Sequence, residues 1–251
     1  MSQLSFTGRY YRFYPKNKLL GHKEHLLNLD TTKTALLAVD VGGMGHEYLQ
    51  EMESKVISES ILPSITAART FGIPVIYVNN SAPKIAIAHS ELAKICKRSF
   101  DLDWEEWGSE DTVDPREYVY GDSTALTIPV EIAPQSQDYF LRKHAYSGFF
   151  ETRLDGLLRN LEVKSLVCVG FSLDVCLGST MVDAMNLNYQ VVLLRDATLA
   201  QELPEDLETL SFTKRLITLT EYSIGFTAAS NDFVTACDDL HNSLTTKTKA
   251  S

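Results

Sequence analysis

Short, uninterrupted apolar runs recur along the chain, and the segments between them place their apolar residues at a helical period. Runs of this kind are typical of strands that are buried on both faces of a parallel sheet. The runs lie at residues 35–39, 74–78, 138–141, 166–169 and 191–194. Their alternation with helical segments predicts an α/β fold in which helices flank a parallel sheet.

The clearest βαβ unit spans residues 165–194. Its first strand, at residues 166–169, is followed by apolar residues at helical spacing, namely Leu177, Met181, Ala184 and Met185. Asp174 is a candidate N-cap for that helix, so Cys176 is predicted to lie in its first turn, at the carboxyl end of a strand. Open α/β sheets bind ligands at that edge, and the helix dipole there favours a thiolate. Cys176 is therefore a candidate nucleophile.

Two further regions complete the pattern of elements. Residues 51–70 are predicted as helical, with Pro63 either bending the helix or starting a second one. Residues 217–226 are expected to return to the sheet, and residues 231–240 to form a C-terminal helix.

The ends of the chain and one internal segment follow no clear period. Residues 1–33 are predicted as an ordered arm whose aromatic side chains pack on the protein's own surface or on a partner subunit, with a ligand as the rarer alternative. One domain is expected over residues 34–242, followed by a polar tail at 243–251. The acidic segment 99–122 carries both tryptophans, and its sequence fits a lid over a site or an assembly surface.

Composition narrows the class of partner. The net charge of -10 and the absence of a Lys/Arg-rich run argue against nucleic-acid or anionic-membrane surfaces and favour small molecules. No apolar run is as long as a membrane span and the start lacks a secretory pattern, so we expect a cytoplasmic protein. The cysteines at 96, 168, 176 and 237 show no CxxC pair, which indicates reduced thiols.

Polar residues stand at the ends of three predicted strands. Asp40 follows the first run and Lys143 comes shortly after the third. Cys176 follows the turn that begins at residue 170, after the fourth run. Parallel strands share their carboxyl edge, so these side chains are expected to meet. An aspartate can take the thiol proton, and an ammonium favours both charged forms. The alternatives are a loop or capping carboxylate for Asp40 and a solvated amine for Lys143.

Three separated motifs resemble the isochorismatase-like cysteine hydrolase superfamily, most closely its ureidoacrylate and biuret amidohydrolase branch. They are Asp40 after the first strand, Lys143 ahead of Tyr-Ser-Gly-Phe-Phe at 146–150, and Gly-Phe-Ser-Leu-Asp-Val-Cys at 170–176 with Ser-Thr following. The resemblance covers residues 34–240. It implies a three-layer, Rossmann-like fold with a six-stranded parallel sheet flanked by helices, and homo-oligomers such as dimers or tetramers.

The resemblance also implies roles for individual residues. Asp40 would be the general base, Lys143 its electrostatic partner and Cys176 the nucleophile. A cis peptide would join Phe171 to Ser172, and Ser172 and Cys176 would form the oxyanion hole. Two residues of the aromatic loop are candidate substrate-binding residues, Tyr146 and Phe150, with the alternative that Phe150 only covers the following helix.

Two departures from the family pattern bear on the substrate and on metals. Residues 41–46 (Val-Gly-Gly-Met-Gly-His) replace the usual Gln-containing segment, which alters one wall of the pocket. Residues 79–81 (Asn-Asn-Ser) do not match the Asp-x-His zinc motif of nicotinamidase-type members, so no metal and no cofactor are expected.

The cysteine favours hydrolysis of an amide or ureide, such as ureidoacrylate, biuret or triuret. The alternative is a catalytically altered scaffold that acts through partner binding.

Overall fold

In the part of the chain that the structure describes, the strands form one eight-stranded sheet. The computed structural model describes residues 2–15, 18, 20–80, 91–100 and 128–249, so most of the tryptophan-containing segment lies outside the described residues. The strand order is β2-β1-β8-β7-β6-β3-β4-β5. The strands are β1 (Gln3–Arg12), β2 (Gly21–Asp30), β3 (Thr34–Val39), β4 (Val75–Asn80), β5 (Tyr139–Lys143), β6 (Ser165–Gly170), β7 (Gln190–Thr198) and β8 (Phe226–Ala228).

Helices cover both faces of this sheet. They are α1 (Gln50–Val56), α2 (Leu62–Phe71), α3 (Glu91–Phe100), α4 (Leu154–Asn160), α5 (Cys176–Asn186), α6 (Ser211–Ser223) and α7 (Ser230–Lys249). A π-helical turn, Ile57–Ile61, joins α1 to α2, and Pro63 lies in the first turn of α2. Short 3-10 turns lie at Thr31–Lys33, Glu47–Leu49, Val130–Ile132 and Pro204–Asp206.

The central strands are buried on both faces, which explains their continuous apolar runs. Every residue of β3 and β6 is buried. Successive side chains of a strand point to opposite faces of the sheet. These strands therefore contribute side chains to two hydrophobic cores, one on each face. One core packs against α2 and α7, and the other packs against α4 and α5. The predicted three-layer, Rossmann-like α/β fold is confirmed.

The predicted count of six strands is wrong because the N-terminal arm forms two more. Strands β3 to β8 pair in parallel, whereas β1 and β2 form an antiparallel hairpin that joins the sheet beside β8. Alternate residues of the hairpin are buried, namely Leu4, Phe6, Leu27 and Leu29. The alternation fades towards the aromatic half of β1, and no two-residue turn marks the hairpin, so the sequence pattern concealed it.

Other segments near the C-terminus also differ from expectation. Residues 217–226 lie mostly in α6, where buried Thr213, Ile217 and Thr220 follow a helical period, and the sheet is rejoined only at Phe226. Helix α7 continues to Lys249, through most of the predicted polar tail. Among the described residues, no helix has the length and apolarity that a membrane span requires.

Candidate active site

The strand order brings together the three residues predicted from strand ends. Asp40 follows β3, Lys143 ends β5, and Cys176 opens α5, which follows β6. Strands β6, β3, β4 and β5 are consecutive neighbours, so these ends share one edge of the sheet. All three side chains are buried: Lys143 is 0% exposed, and Asp40 and Cys176 are each 8% exposed.

Asp40 and Lys143 form a buried ion pair. The Lys143 Nζ lies 2.8 Å from Asp40 Oδ2 and donates to the Ala145 carbonyl at 3.3 Å. Burial acts to lower the pKa of Lys143, but attraction to Asp40 and to Cys176 outweighs it, and the pKa is raised overall. The site therefore contains an ammonium group that stays charged beside the carboxylate.

The Cys176 thiol interacts with both members of the ion pair. Burial, followed by repulsion from Asp40, raises the pKa of Cys176 to about 12, although Lys143 opposes the shift. Burial therefore opposes the thiolate that the helix N-terminus was expected to favour. A carboxylate lies beside the sulfur and can accept the thiol proton.

The turn before Cys176 depends on a close approach of β6 to β3. Gly170 has a φ of +117°, and a Cβ there would lie 1.9 Å from the Val39 carbonyl oxygen. The next N–H, of Phe171, donates to that same oxygen at 2.9 Å. A cis peptide follows between Phe171 and Ser172, where the family resemblance predicts one. Glycine therefore allows the turn that precedes Cys176 to lie against the strand that leads into Asp40.

The predicted substrate-binding residues are less closely tied to this cluster. Tyr146 is partly buried and packs against the core on the α5 side of the sheet. Phe150 is 54% exposed, and its ring packs edge-on against His144, with centroids 6.1 Å apart. The assignment of Tyr146 and Phe150 to substrate binding stays a prediction.

Asn80 is a site residue that the sequence reasoning missed. Its backbone N–H donates to Asp40 Oδ1 at 2.7 Å, its Oδ1 accepts a short hydrogen bond from Lys143, and its Nδ2 lies 3.9 Å from the Cys176 sulfur. Asn80 ends β4, so the rule that found Asp40 and Lys143 could have found it too.

Glu53 of α1 is a second residue that the sequence did not single out. Its Oε1 accepts the Met44 N–H at 3.0 Å, and a Cβ added to Gly43 would lie 2.5 Å from Oε2. Burial raises the pKa of Glu53, and the Met44 N–H opposes that shift. The carboxylate thus holds the loop at residues 41–46, the segment that departs from the family pattern.

Within the parts of the chain that the structure describes, no group of three or more His, Cys, Asp or Glu side chains is arranged to hold a metal ion. The chemistry available at the candidate site is that of a thiol, a carboxylate, an ammonium group and amide N–H donors. Such a set is suited to nucleophilic attack on a carbonyl carbon.

Comparison with known proteins gives one family and several amidohydrolases. The Isochorismatase domain family matches residues 31–215. Ureidoacrylate amidohydrolase RutB from Agrobacterium fabrum is 30% identical over 185 residues, which are 68% of this chain and 78% of that protein. Its counterpart from Acinetobacter baylyi is 30% identical over 193 residues, or 72% of this chain and 76% of that protein.

Solved structures agree with the fold. N-carbamoylsarcosine amidase from Thermoplasma acidophilum is 27% identical, with a TM-score of 0.55, and the match covers 79% of this chain and 96% of that one. A cysteine hydrolase from Pseudomonas syringae pv. phaseolicola is 20% identical, with a TM-score of 0.65, and covers 84% of this chain and 95% of that one. At 20% identity, the likeness to the cysteine hydrolase shows a shared fold.

Proposed function

Because the chain belongs to the isochorismatase family of hydrolases, we propose that it is a cysteine-dependent amidohydrolase that cleaves a C–N bond of a small ureido or carbamoyl compound. The observation that carries the proposal is the buried ion pair of Asp40 and Lys143 beside the Cys176 thiol. A nucleophile, a base and a fixed positive charge are together in one water-poor site.

In the proposed first half-reaction, the Cys176 sulfur attacks the carbonyl carbon while Asp40 takes the thiol proton. This order suits a thiol whose pKa is raised by burial, since the proton leaves only as the S–C bond forms. Negative charge then develops on the carbonyl oxygen. The N–H groups of Ser172 and Cys176 are the proposed donors to this oxygen. Cys176 is the first residue of α5, and the first N–H groups of a helix have no partner within the helix.

Collapse of this tetrahedral species breaks the C–N bond. The leaving nitrogen takes the proton from Asp40, and ammonia or an amine departs, leaving a thioester or thiocarbamate on Cys176. In the second half-reaction, water gives a proton to Asp40 and attacks the same carbon. The S–C bond then breaks, and the proton returns from Asp40 to the sulfur. Lys143 is the fixed positive charge beside this carboxylate between the transfers.

The relatives support the proposed substrate class. One group is named for ureidoacrylate and another for N-carbamoylsarcosine, and both substrate names describe a carbonyl carbon between two nitrogens. We propose a compound of that type, with ureidoacrylate, biuret, triuret and N-carbamoyl amino acids as the first candidates. Residues 41–46 depart from the family pattern and are expected to alter one wall of the pocket. This segment therefore bears on which of these compounds is the substrate.

A panel assay with a mutant tests this function. Ammonia release is measured for those compounds and for nicotinamide, with wild-type protein and Cys176→Ala protein. We expect wild-type turnover of at least one ureido compound and none with Cys176→Ala. Cys168→Ala is the matched control, because Cys168 is buried in β6 and lies in the core. Turnover by folded Cys176→Ala protein equal to that of the wild type would refute the cysteine mechanism.

A non-catalytic scaffold is the second candidate, favoured by exposed aromatic rings on and near the hairpin. Phe13 is 46% exposed, Tyr14 73% and Tyr222 45%. Such rings suit a partner surface, including the surface of a second copy in the predicted homo-oligomer. The same panel separates the two candidates, because a scaffold releases no ammonia from any compound at any protein concentration.

A further inference from the structure

We propose that Asn80 is a positioning residue that fixes the Lys143 ammonium and offers an N–H donor to the Cys176 sulfur as the thiolate forms. This inference rests on the proposed function and adds a fourth side chain to its site. It assigns to Asn80 a role in setting the reactivity of the thiol, separate from any contact with substrate.

The strand order gives Asn80 its position. Strand β4 lies between β3 and β5, so its last residue stands between the two ends that carry Asp40 and Lys143. Asn80 is the direct register partner of Lys143, and its backbone N–H donates to Asp40 Oδ1 at 2.7 Å. The backbone and the side chain of one residue thus contact both members of the ion pair.

The chemistry of Lys143 fixes which way the Asn80 amide faces. An ammonium group has only donors, so the amide must turn its oxygen to Lys143. The amide nitrogen then has to face the Cys176 sulfur, from which it lies 3.9 Å away. A thiol sulfur is a weak acceptor, whereas a thiolate accepts hydrogen bonds strongly, so this N–H group stabilises the charged form more than the neutral one.

The neighbouring residue provides a matched control. Asn79 is also buried at the end of β4, but successive side chains of a strand leave on opposite faces. Tyr77 packs in the core beside α7, whereas Val78 packs in the core that contains Cys176. By this alternation Asn79 follows Tyr77, and Asn80 follows Val78 to the side of the sulfur.

The test measures the thiol in the absence of substrate. Iodoacetamide alkylation of Cys176 is followed by peptide mass spectrometry from pH 7 to pH 10, where the rate follows the thiolate fraction. Asn80→Asp keeps the side-chain shape but replaces the donor by a carboxylate. We expect its alkylation to be at least about tenfold slower than that of the wild type, because one unit of thiol pKa changes the thiolate fraction tenfold.

Asn80→Ser is the second variant, since a serine is too short to reach both Lys143 and Cys176 and adds no buried charge. We expect slower alkylation here as well, and a wild-type rate for Asn79→Ala. Thermal unfolding monitored by circular dichroism checks that each variant is folded. Wild-type alkylation rates in both Asn80 variants would overturn the inference. If those variants then raised only KM for the amide, Asn80 would be a substrate contact instead.

The two proposals fail in distinguishable ways. The alkylation rates are independent of turnover, so they judge Asn80 even if no amide is hydrolysed. Absence of ammonia release by the wild-type protein would count against the proposed function alone.

Discussion

Glu221 and Asp40 are both buried carboxylates with a cationic partner, but the groups around them differ. Glu221, in α6, is 3% exposed and joins the hairpin to the rest of the fold. One of its oxygens accepts from Arg9 Nε at 2.5 Å and from the Thr227 hydroxyl at 2.6 Å, and the other lies 2.9 Å from His22 Nδ1. Two donors, from β1 and β8, and the His22 ring of β2 thus surround this carboxylate.

Asp40 is buried to a similar degree but has a different kind of neighbour. It pairs with Lys143 and accepts one backbone N–H, from Asn80. Beside it lies the Cys176 thiol, a group that can both give up a proton and attack carbon. The difference teaches that a buried ion pair alone does not indicate catalysis, since such pairs also hold structure together. What distinguishes Asp40 is the Cys176 thiol beside it, which is the basis of the proposed function.

The largest expected effect is on the chemistry at Asp40. Asp40→Asn preserves the shape of the side chain but removes the base, so kcat/KM for the amide that the wild type hydrolyses should fall by about 10²–10⁴-fold. Steady-state ammonia release measures it. Glu221→Gln is the control and should keep wild-type activity per folded molecule. Retention of more than a tenth of the activity by Asp40→Asn would remove Asp40 from the role of base.

The second expected effect is on the stability of the hairpin junction. Glu221→Ala removes the acceptor of Arg9, whose side chain is 31% exposed, and of the buried Thr227 hydroxyl. The free energy of unfolding should therefore fall by about 1–3 kcal/mol. Urea denaturation measures it. Glu24→Ala, on the exposed edge strand, should change stability by less than about 0.5 kcal/mol. A loss at Glu221 as small as the loss at Glu24 would contradict a structural role.

A smaller effect is expected on the pH dependence of stability. Burial raises the pKa of Cys176 to about 12 in the folded protein, whereas a thiol of an unfolded chain titrates near about 8.5. As the pH rises above about 8.5, the unfolded state loses its proton first and gains stability relative to the fold. The wild type should therefore lose about 2 kcal/mol more than Cys176→Ala between pH 8 and pH 10.

Urea denaturation at each pH measures this difference. Glu221→Gln should lose stability with the same slope as the wild type, because it leaves Cys176 unchanged. Equal slopes for the wild type and Cys176→Ala would show that the thiol titrates at its ordinary pKa in the folded protein.

The sequence predicted the parts of the site that lie at strand ends. A polar residue after a buried apolar run is visible in the chain, which is why Asp40, Lys143 and Cys176 could be named. Their burial was not visible, because it depends on packing between distant segments. For that reason the effect of burial on the pKa of Cys176 was not predicted.

Neighbour relations within the sheet were also beyond the sequence pattern. The role of Asn80 depends on β4 lying between β3 and β5, which apolar runs do not reveal. The hairpin was missed because β1 becomes aromatic and only partly buried after Gly8. The resemblance gave the family and the parallel part of the sheet, whereas the homo-oligomer stays a prediction.

The most direct test of the account is the mass of the protein during turnover. Wild-type protein is mixed with the ureido compound that it hydrolyses, quenched with acid within the first turnovers, digested and analysed by mass spectrometry. The account predicts an acyl or carbamoyl group on the peptide that contains Cys176, lost on longer incubation as ammonia accumulates. An adduct on a different residue, or steady ammonia release by folded Cys176→Ala protein, would contradict it.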